Sequence, residues 1–342
     1  MTEIPLHTTE KTSRILVGES FGNIGKYLPD KPLVILTDKN VDHHYRDAFP
    51  GGLKIVLEPG ESSKSLETAS RIYDQLIQNE IDRNAFFLGI GGGIVCDLTG
   101  YIASTYLRGL PFGFVSTTLL AQVDASIGGK NGVNFEGYKN MIGLIRQPDF
   151  VICDHEMLGT LEPSEFRMGF AEVIKYGAIV NEDFFEFLEK NYSSAMSQEP
   201  GIMEEIVAVS AAAKCDIVSK DEKESGERKK LNFGHTFAHA FEKLSGIPHG
   251  EAVSIGMVLA AKLSERLGLI SSRELDRLRV LINNFKLPVT YSGSCGEAFE
   301  AMKRDKKRSG ETISLILLEA IGQAVIREIA LPDLKNWIDD LC

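Results

Sequence analysis

The run Ala85-Phe86-Phe87-Leu88-Gly89-Ile90-Gly91-Gly92-Gly93-Ile94-Val95-Cys96-Asp97-Leu98 decides the fold class of this chain. Its opening residues are continuously apolar or glycine, as a strand covered on both faces must be. Three glycines follow, and from there to about residue 107 the pattern is helical. Strand, glycine turn and helix make a phosphate-binding arrangement. Glycine lets the backbone turn tightly and approach a ligand closely, while the helix start offers unpaired N–H groups and a partial positive charge. Gly89-x-Gly91 is not completed to GxGxxG, because Ile94 takes the last glycine place, so the stretch supports nucleotide binding without being the standard fingerprint. A purely structural turn is the competing reading.

Working outward, residues 14–18, 33–37, 54–57, 111–115 and 150–153 read as further strands, and 65–79 as a helix. Strands separated by helices predict a mostly parallel sheet covered on both faces. From about Pro163 the period becomes helical, over 164–180, 183–190, 203–220, 233–245 and 251–267. Ser271 with Glu274 has capping-box spacing and opens a helix to about residue 285. Residues 312–318 and 323–327 form a small hairpin before a last helix over 333–341. The expectation is a Rossmann-like α/β N-terminal domain over 1–160 and a mainly α-helical C-terminal domain over 161–342.

With 342 residues, 43% of them apolar and 25% charged, the chain has an ordinary globular composition with room for two domains. A net charge of −11 argues against nucleic-acid binding, which needs a basic face. The cations Lys130, Lys139, Lys175, Arg228, Lys306 and Lys307 nevertheless lie within four residues of a glycine or asparagine, and together with Lys214 they suit a pocket for a small anion. Taken singly, each also reads as a solvated surface charge. No apolar run is long enough to span a bilayer, and the start has no basic stretch followed by an apolar one, so neither a membrane segment nor a secretory leader is expected. Cysteines 96, 153, 215, 295 and 342 are scattered and never in a CxxC pair, and read as reduced thiols of a cytoplasmic protein.

Two polar loops add to the glycine turn. Asp38 and Asn40 follow a strand directly, where α/β sheets hold ligands, and an acid there accepts hydrogen bonds from ribose hydroxyls, favouring NAD over its phosphorylated form. Pro59-Gly60-Glu61-Ser62-Ser63-Lys64 is a loop that can close over the same nucleotide. In the second half, His235 and His239 stand at i and i+4 on one helix face, His249 follows at the next helix start, and Glu172 lies on an earlier helix. Two imidazoles and a carboxylate are a common catalytic zinc set with a position left for water or substrate. Spacing leaves open whether His235 pairs with His239 on one helix or His249 bridges to one of them. A packed polar network is the alternative to a metal.

Together these segments closely resemble the 3-dehydroquinate synthase family of sugar phosphate cyclases. The blocks run in family order across about residues 30 to 330: Gly91-Gly92-Gly93 through Asp97 to Gly100, Thr105 to Gly109, Thr117-Thr118 to Asp124, Gly128-Gly129-Lys130, Lys139 to Gly143, Ala171-Glu172 to Gly177, Asn232 to Thr236, His249-Gly250-Glu251 and Asp305-Lys306-Lys307. The resemblance implies an NAD+-binding first domain, a metal-binding second domain using zinc or cobalt, and a homodimer. By the same resemblance the substrate would be 3-deoxy-D-arabino-heptulosonate 7-phosphate, a small anion with phosphate and carboxylate groups. It further implies Glu172, His235 and His249 as metal ligands. Asp38, Asn40, Glu61, Lys64, Gly92, Gly93, Asp97, Thr117, Thr118 and Lys139 would hold NAD, with Asp124 between nicotinamide and substrate. Lys130, Asn140, Lys175, Asn232, His239 and one of Lys306/Lys307 would contact substrate, Lys214 and Arg228 would face its carboxylate, and Arg108 would reach the neighbouring subunit's site. Cys96, Ser116, Ala125 and Asn131 depart from the residues usual in the family. A metal- and NAD-dependent alcohol or glycerol dehydrogenase and another sugar phosphate cyclase, such as a deoxy-scyllo-inosose synthase, are the rival readings.

Overall fold

The computed structural model describes residues 1–303, 308–309 and 311–341. It comprises two compact units: Met1–Glu162 with Met203–Lys223, and Pro163–Ile202 with Glu224–Cys342. The chain thus leaves the first unit after Glu162 and returns to it for most of the helix Pro200–Lys220. Helical periodicity alone does not reveal such a return, because it is the same whichever unit the helix packs on.

The first unit is built on strands β1 (Thr2–His7), β2 (Thr12–Val17), β3 (Leu33–Asp38), β4 (Leu53–Leu57), β5 (Phe86–Gly91), β6 (Phe112–Ser116), β7 (Lys130–Phe135), β8 (Tyr138–Ile145) and β9 (Phe150–Cys153). Seven of them form one sheet in the order β1-β2-β9-β6-β5-β3-β4, parallel except for the edge strand β1. Strands β5, β6 and β9 are buried at every residue, which explains their unbroken apolar runs. Strand β3 carries β4 on one side and β5 on the other, so the direction of winding reverses between β3 and β5. The crevice at the carboxyl ends of strands beside such a reversal is where α/β sheets hold ligands. Asp38 ends β3, and Gly91-Gly92-Gly93 ends β5 and starts the helix Gly93–Thr105.

Strands β7 and β8 pair as a separate antiparallel ribbon packed on that helix. Gly100 is required at the contact, since a Cβ there would lie 1.8 Å from Asn131 Oδ1. The buried Asn131 amide donates to Gly129 O at 2.7 Å and Arg146 O at 2.9 Å, which ties the ends of the ribbon and gives this departure from the family pattern a structural task. Strand β1, the helix Lys39–Tyr45 and the ribbon were not expected from the sequence. The helix is two turns long with only Val41 buried, and β8 is mostly exposed, so neither shows a clear hydrophobic period.

The second unit packs the helices Pro163–Val180, Glu182–Met196, His235–Ser245, His249–Arg266, Ser272–Asn284, Cys295–Met302 and Leu331–Leu341 with an antiparallel sheet of Arg308–Ser309, Thr312–Ala320 and Gln323–Ala330. The expected capping box forms, Ser271 and Glu274 each accepting from the other's backbone N–H. The helix Cys295–Met302 was not anticipated. Phe170 stacks on Phe285 at 4.3 Å between ring centroids within the core of this unit. Cys96, Cys153 and Cys215 are free and buried, but Cys295 is disulfide-bonded, which corrects the expectation of reduced thiols throughout. Sequence spacing carries no information on which thiols fold brings together. No helix among the described residues is long and apolar enough to cross a membrane.

Candidate functional site

Three helices of the second unit converge on one carboxylate. The helix Pro163–Val180 is buried at every residue from Gly169 to Ile179, and Glu172 (0% exposed) and Lys175 (1% exposed) stand on one face of it at i and i+3 as an ion pair. The helix His249–Arg266 comes close by means of two glycines. A Cβ on Gly250 would lie 2.4 Å from Met168 O, and one on Gly256 would lie 2.1 Å from Gly234 O. Gly234 takes a left-handed backbone (φ 79°) immediately before His235, which begins the helix His235–Ser245. These backbone approaches bring His235 and His249 to the same oxygen of Glu172.

His235 Nε2 lies 3.4 Å and His249 Nε2 3.5 Å from Glu172 Oε1, too long for good hydrogen bonds. One ligand atom from each of the three residues falls within 4.8 Å of the others. In a tetrahedral zinc site with bonds of about 2.0–2.1 Å, neighbouring ligand atoms stand about 3.3–3.4 Å apart. The two contacts match that edge. Neither Glu172 oxygen accepts a hydrogen bond of acceptable geometry, although Lys175 lies against Oε2 as its ion-pair partner. A buried carboxylate left in this way is what a cation would satisfy. Each imidazole also has its other nitrogen engaged, His235 Nδ1 with Phe233 O at 3.1 Å and His249 Nδ1 with Glu242 Oε1 at 2.6 Å. Acceptors at Nδ1 hold the proton there and leave Nε2 as the donor toward the cation. Glu172, His235 and His249 can hold a metal.

Burial pushes the His235 imidazole down to about 4, against the pull of Glu172. For His249, burial works the same way but is outweighed by Glu172 and Glu242, which raise it to about 9. The Glu172 carboxyl is held well below its usual range: burial opposes this, and Lys175 and His235 overcome it. In the metal-free chain His249 should therefore carry a proton at neutral pH, which a cation would have to displace. Apparent metal affinity should rise about tenfold per pH unit from 7 toward 9 and then level. Calorimetry in two buffers of different ionisation enthalpy should count close to one proton released at pH 7.5; none released would contradict the assignment of the charge to His249.

His239 is exposed on the helix of His235, its ring 5.9 Å from the His235 ring centroid, and is not part of the three-residue group. Arg228 is buried (1% exposed), and Asn232 donates to Glu224 Oε1 at 2.7 Å. Lys306 and Lys307 lie outside the described residues.

In the first unit the glycine turn makes a cradle that side chains would fill. A Cβ on Gly92 would meet Thr118 Cγ2 at 2.8 Å, and one on Gly93 would meet the Ala125 methyl at 3.0 Å. Gly92 has no side chain to cap the helix it precedes, so the first-turn N–H groups are open to an anion. Thr117 N bonds Gly91 O at 3.0 Å, and Thr118 Oγ1 accepts from Ala121 N at 3.1 Å. Asp38 uses Oδ1 to cap the helix Lys39–Tyr45, accepting from Asn40 N at 2.9 Å and Val41 N at 3.1 Å. The buried Lys64 joins Asp97 and Asn140, while Asn134 links Asn140 N to Glu61 Oε1. Burial raises the Asp97 carboxyl despite the Lys64 ammonium beside it.

The family model of the 3-dehydroquinate synthase N-terminal domain matches residues 54–168, and that of the C-terminal domain matches residues 169–308. The chain belongs to the 3-dehydroquinate synthase family. It is 43% identical over 310 residues to the 3-dehydroquinate synthase of Nitrosomonas europaea, covering 87% of this chain and 84% of the relative. It is 39% identical over 358 residues to that of Dehalococcoides mccartyi, covering both chains fully. A solved 2-epi-5-epi-valiolone synthase from Streptomyces hygroscopicus with NAD+ and Zn2+ bound matches with a TM-score of 0.89 at 26% identity, covering 98% of each chain. A 2-deoxy-scyllo-inosose synthase complexed with carbaglucose-6-phosphate, NAD+ and Co2+ matches with a TM-score of 0.88 at 25% identity, covering 99% of this chain and 100% of that one.

The structure also joins Lys214 to Asp124, the ammonium donating to Asp124 O at 2.7 Å and to its carboxylate. Asp124 sits in a π-helical turn, Ala121–Ala125, of the kind often kept at functional positions. Lys130, Lys139 and Arg108 are exposed. Glu224 and Glu242 stand in no motif that singles them out in the sequence. The available signal for Glu242 was its position seven residues after His235 on one helix face.

Proposed function

We propose that this chain converts 3-deoxy-D-arabino-heptulosonate 7-phosphate to 3-dehydroquinate and inorganic phosphate, by transient NAD-linked oxidation, phosphate elimination, reduction, ring opening and internal aldol closure. The convergence of Glu172, His235 and His249 in a chain 43% identical to a 3-dehydroquinate synthase carries the reading. When bound, a divalent cation, zinc or cobalt, polarises a substrate oxygen, and NAD+ takes up a hydride and returns it within one turnover. The glycine cradle, together with Asp38, Asn40, Glu61, Lys64, Asp97, Thr117, Thr118 and Lys139, is our choice for the cofactor.

In the second unit Lys175, Arg228, Asn232 and His239 bind and orient the anionic substrate, Lys175 also balancing the Glu172 carboxylate. In the first, Lys214 fixes the Asp124 carboxylate, and Lys130 and Asn140 supply polar contacts to substrate. The same reading carries a cytoplasmic homodimer in which Arg108 reaches the partner's site. The exposed turn at Leu107 (φ 48°) and Arg108 (φ 68°) supports it, since two successive left-handed non-glycine residues are strained and such strain gathers at functional places.

A probable glycerol dehydrogenase from Sinorhizobium meliloti shares the fold, with a TM-score of 0.66 at 14% identity. Net redox and cyclisation are told apart by NAD stoichiometry. With the heptulosonate phosphate in large excess over NAD+, phosphate and product should form in equal amounts without NADH accumulating. One NADH per turnover would overturn the proposal.

A further inference from the structure

Glu242 has no place among the residues assigned to substrate, cofactor or metal, yet its side chain is 6% exposed and its Oε1 lies 2.6 Å from His249 Nδ1. It stands seven residues after His235 on the helix His235–Ser245, so one helix face carries His235 and the group that holds His249. The two imidazoles are held differently. His235 turns its Nδ1 to the local carbonyl of Phe233, a neutral acceptor two residues away, whereas His249 turns its Nδ1 to a buried anion.

Exposure shows which imidazole needs the firmer hold. Among the three side chains facing one another, Glu172 is 0% exposed, His235 12% and His249 36%. His249 is also the first residue of its helix, following a link that leaves the preceding helix through left-handed Gly246. A ring at a helix start with a third of its surface in solvent is not locked by packing alone. A carboxylate on Nδ1–H fixes the ring plane and the tautomer, and makes Nε2 a stronger donor. It also adds a negative charge near the cation.

Resting on the metal-centre reading above, we infer that Glu242 is the positioning residue of that centre: it orients His249 and raises its donor strength, and so sets how tightly the cation is held. The test measures zinc affinity by competition with a chromophoric chelator, on purified full-length protein stripped of metal. Wild type, Glu242→Ala and Glu242→Gln are compared. Removing a second-sphere carboxylate weakens metal binding by about 10–100-fold. Glu242→Ala should show a loss of that size, and Glu242→Gln, which keeps an acceptor without the charge, should recover part of it. Thermal unfolding of the metal-free variants is measured alongside. A Glu242→Ala protein that melts lower but binds zinc as the wild type does assigns Glu242 to packing and overturns the inference. If the wild type itself takes up no zinc, the metal-centre reading fails instead, so the two failures are distinct.

Discussion

His235→Ala should lose bound metal and turnover together, with kcat/KM falling by about 10³-fold or more. The magnitude follows from removing a Lewis acid that contributes several kcal/mol of transition-state stabilisation, each 1.4 kcal/mol being a factor of ten. His235 is the suitable site for this test. Its imidazole is driven toward neutrality by burial, so deleting it strands no charge, and its Nδ1 partner is only the Phe233 carbonyl beside it. The metal-free variant should therefore unfold close to the metal-free wild type. Metal content by atomic absorption, phosphate release and thermal unfolding together decide the matter. A variant that turns over normally without metal would remove the basis for assigning these three residues to a metal.

Glu172→Ala is expected to behave differently, costing the fold itself about 3–5 kcal/mol in the metal-free protein. Glu172 and Lys175 are both essentially sealed from solvent and face each other one helical turn apart. Removing one member of a buried pair leaves the other ion without compensation, whereas replacing both with apolar groups of similar size is often neutral. The double variant Glu172→Ala/Lys175→Met should thus regain most of the stability lost by the single one. Urea unfolding without metal reads this directly, free of the stabilisation that bound cation adds. If the single variant shifts by less than about 1 kcal/mol, or the double is no more stable than the single, Lys175 does not depend on Glu172 for its charge balance.

The two predictions separate roles that the sequence places side by side. Glu172, Lys175, His235, His239 and His249 are all visible as a polar cluster in helical segments, but spacing treats His239 and His249 alike as partners for His235. Helix periodicity even favours His239, four residues along the same face. The tertiary structure brings His249 to Glu172 because Gly256 lets its helix touch the backbone at Gly234, and Gly250 lets it touch Met168. Backbone contact across helices leaves no periodic trace in a single sequence.

Features that depend on near neighbours in the chain are legible before folding: the strand Phe86–Gly91 turning through glycines into the helix Gly93–Thr105, the Ser271/Glu274 capping box, and most helices of the second half. Each is set by hydrophobic period or by a side chain reaching its own backbone within one turn. Residue spacing left open which imidazole joins Glu172, and only the packed chain shows that Lys214 pairs with Asp124 ninety residues earlier, that Lys64 links Asp97 to Asn140, and that Met203–Lys223 rejoins the first unit. The reason is physical. Those contacts are chosen by how closely backbones can approach and by which buried charges must find partners, and both are properties of the packed chain rather than of any stretch within it.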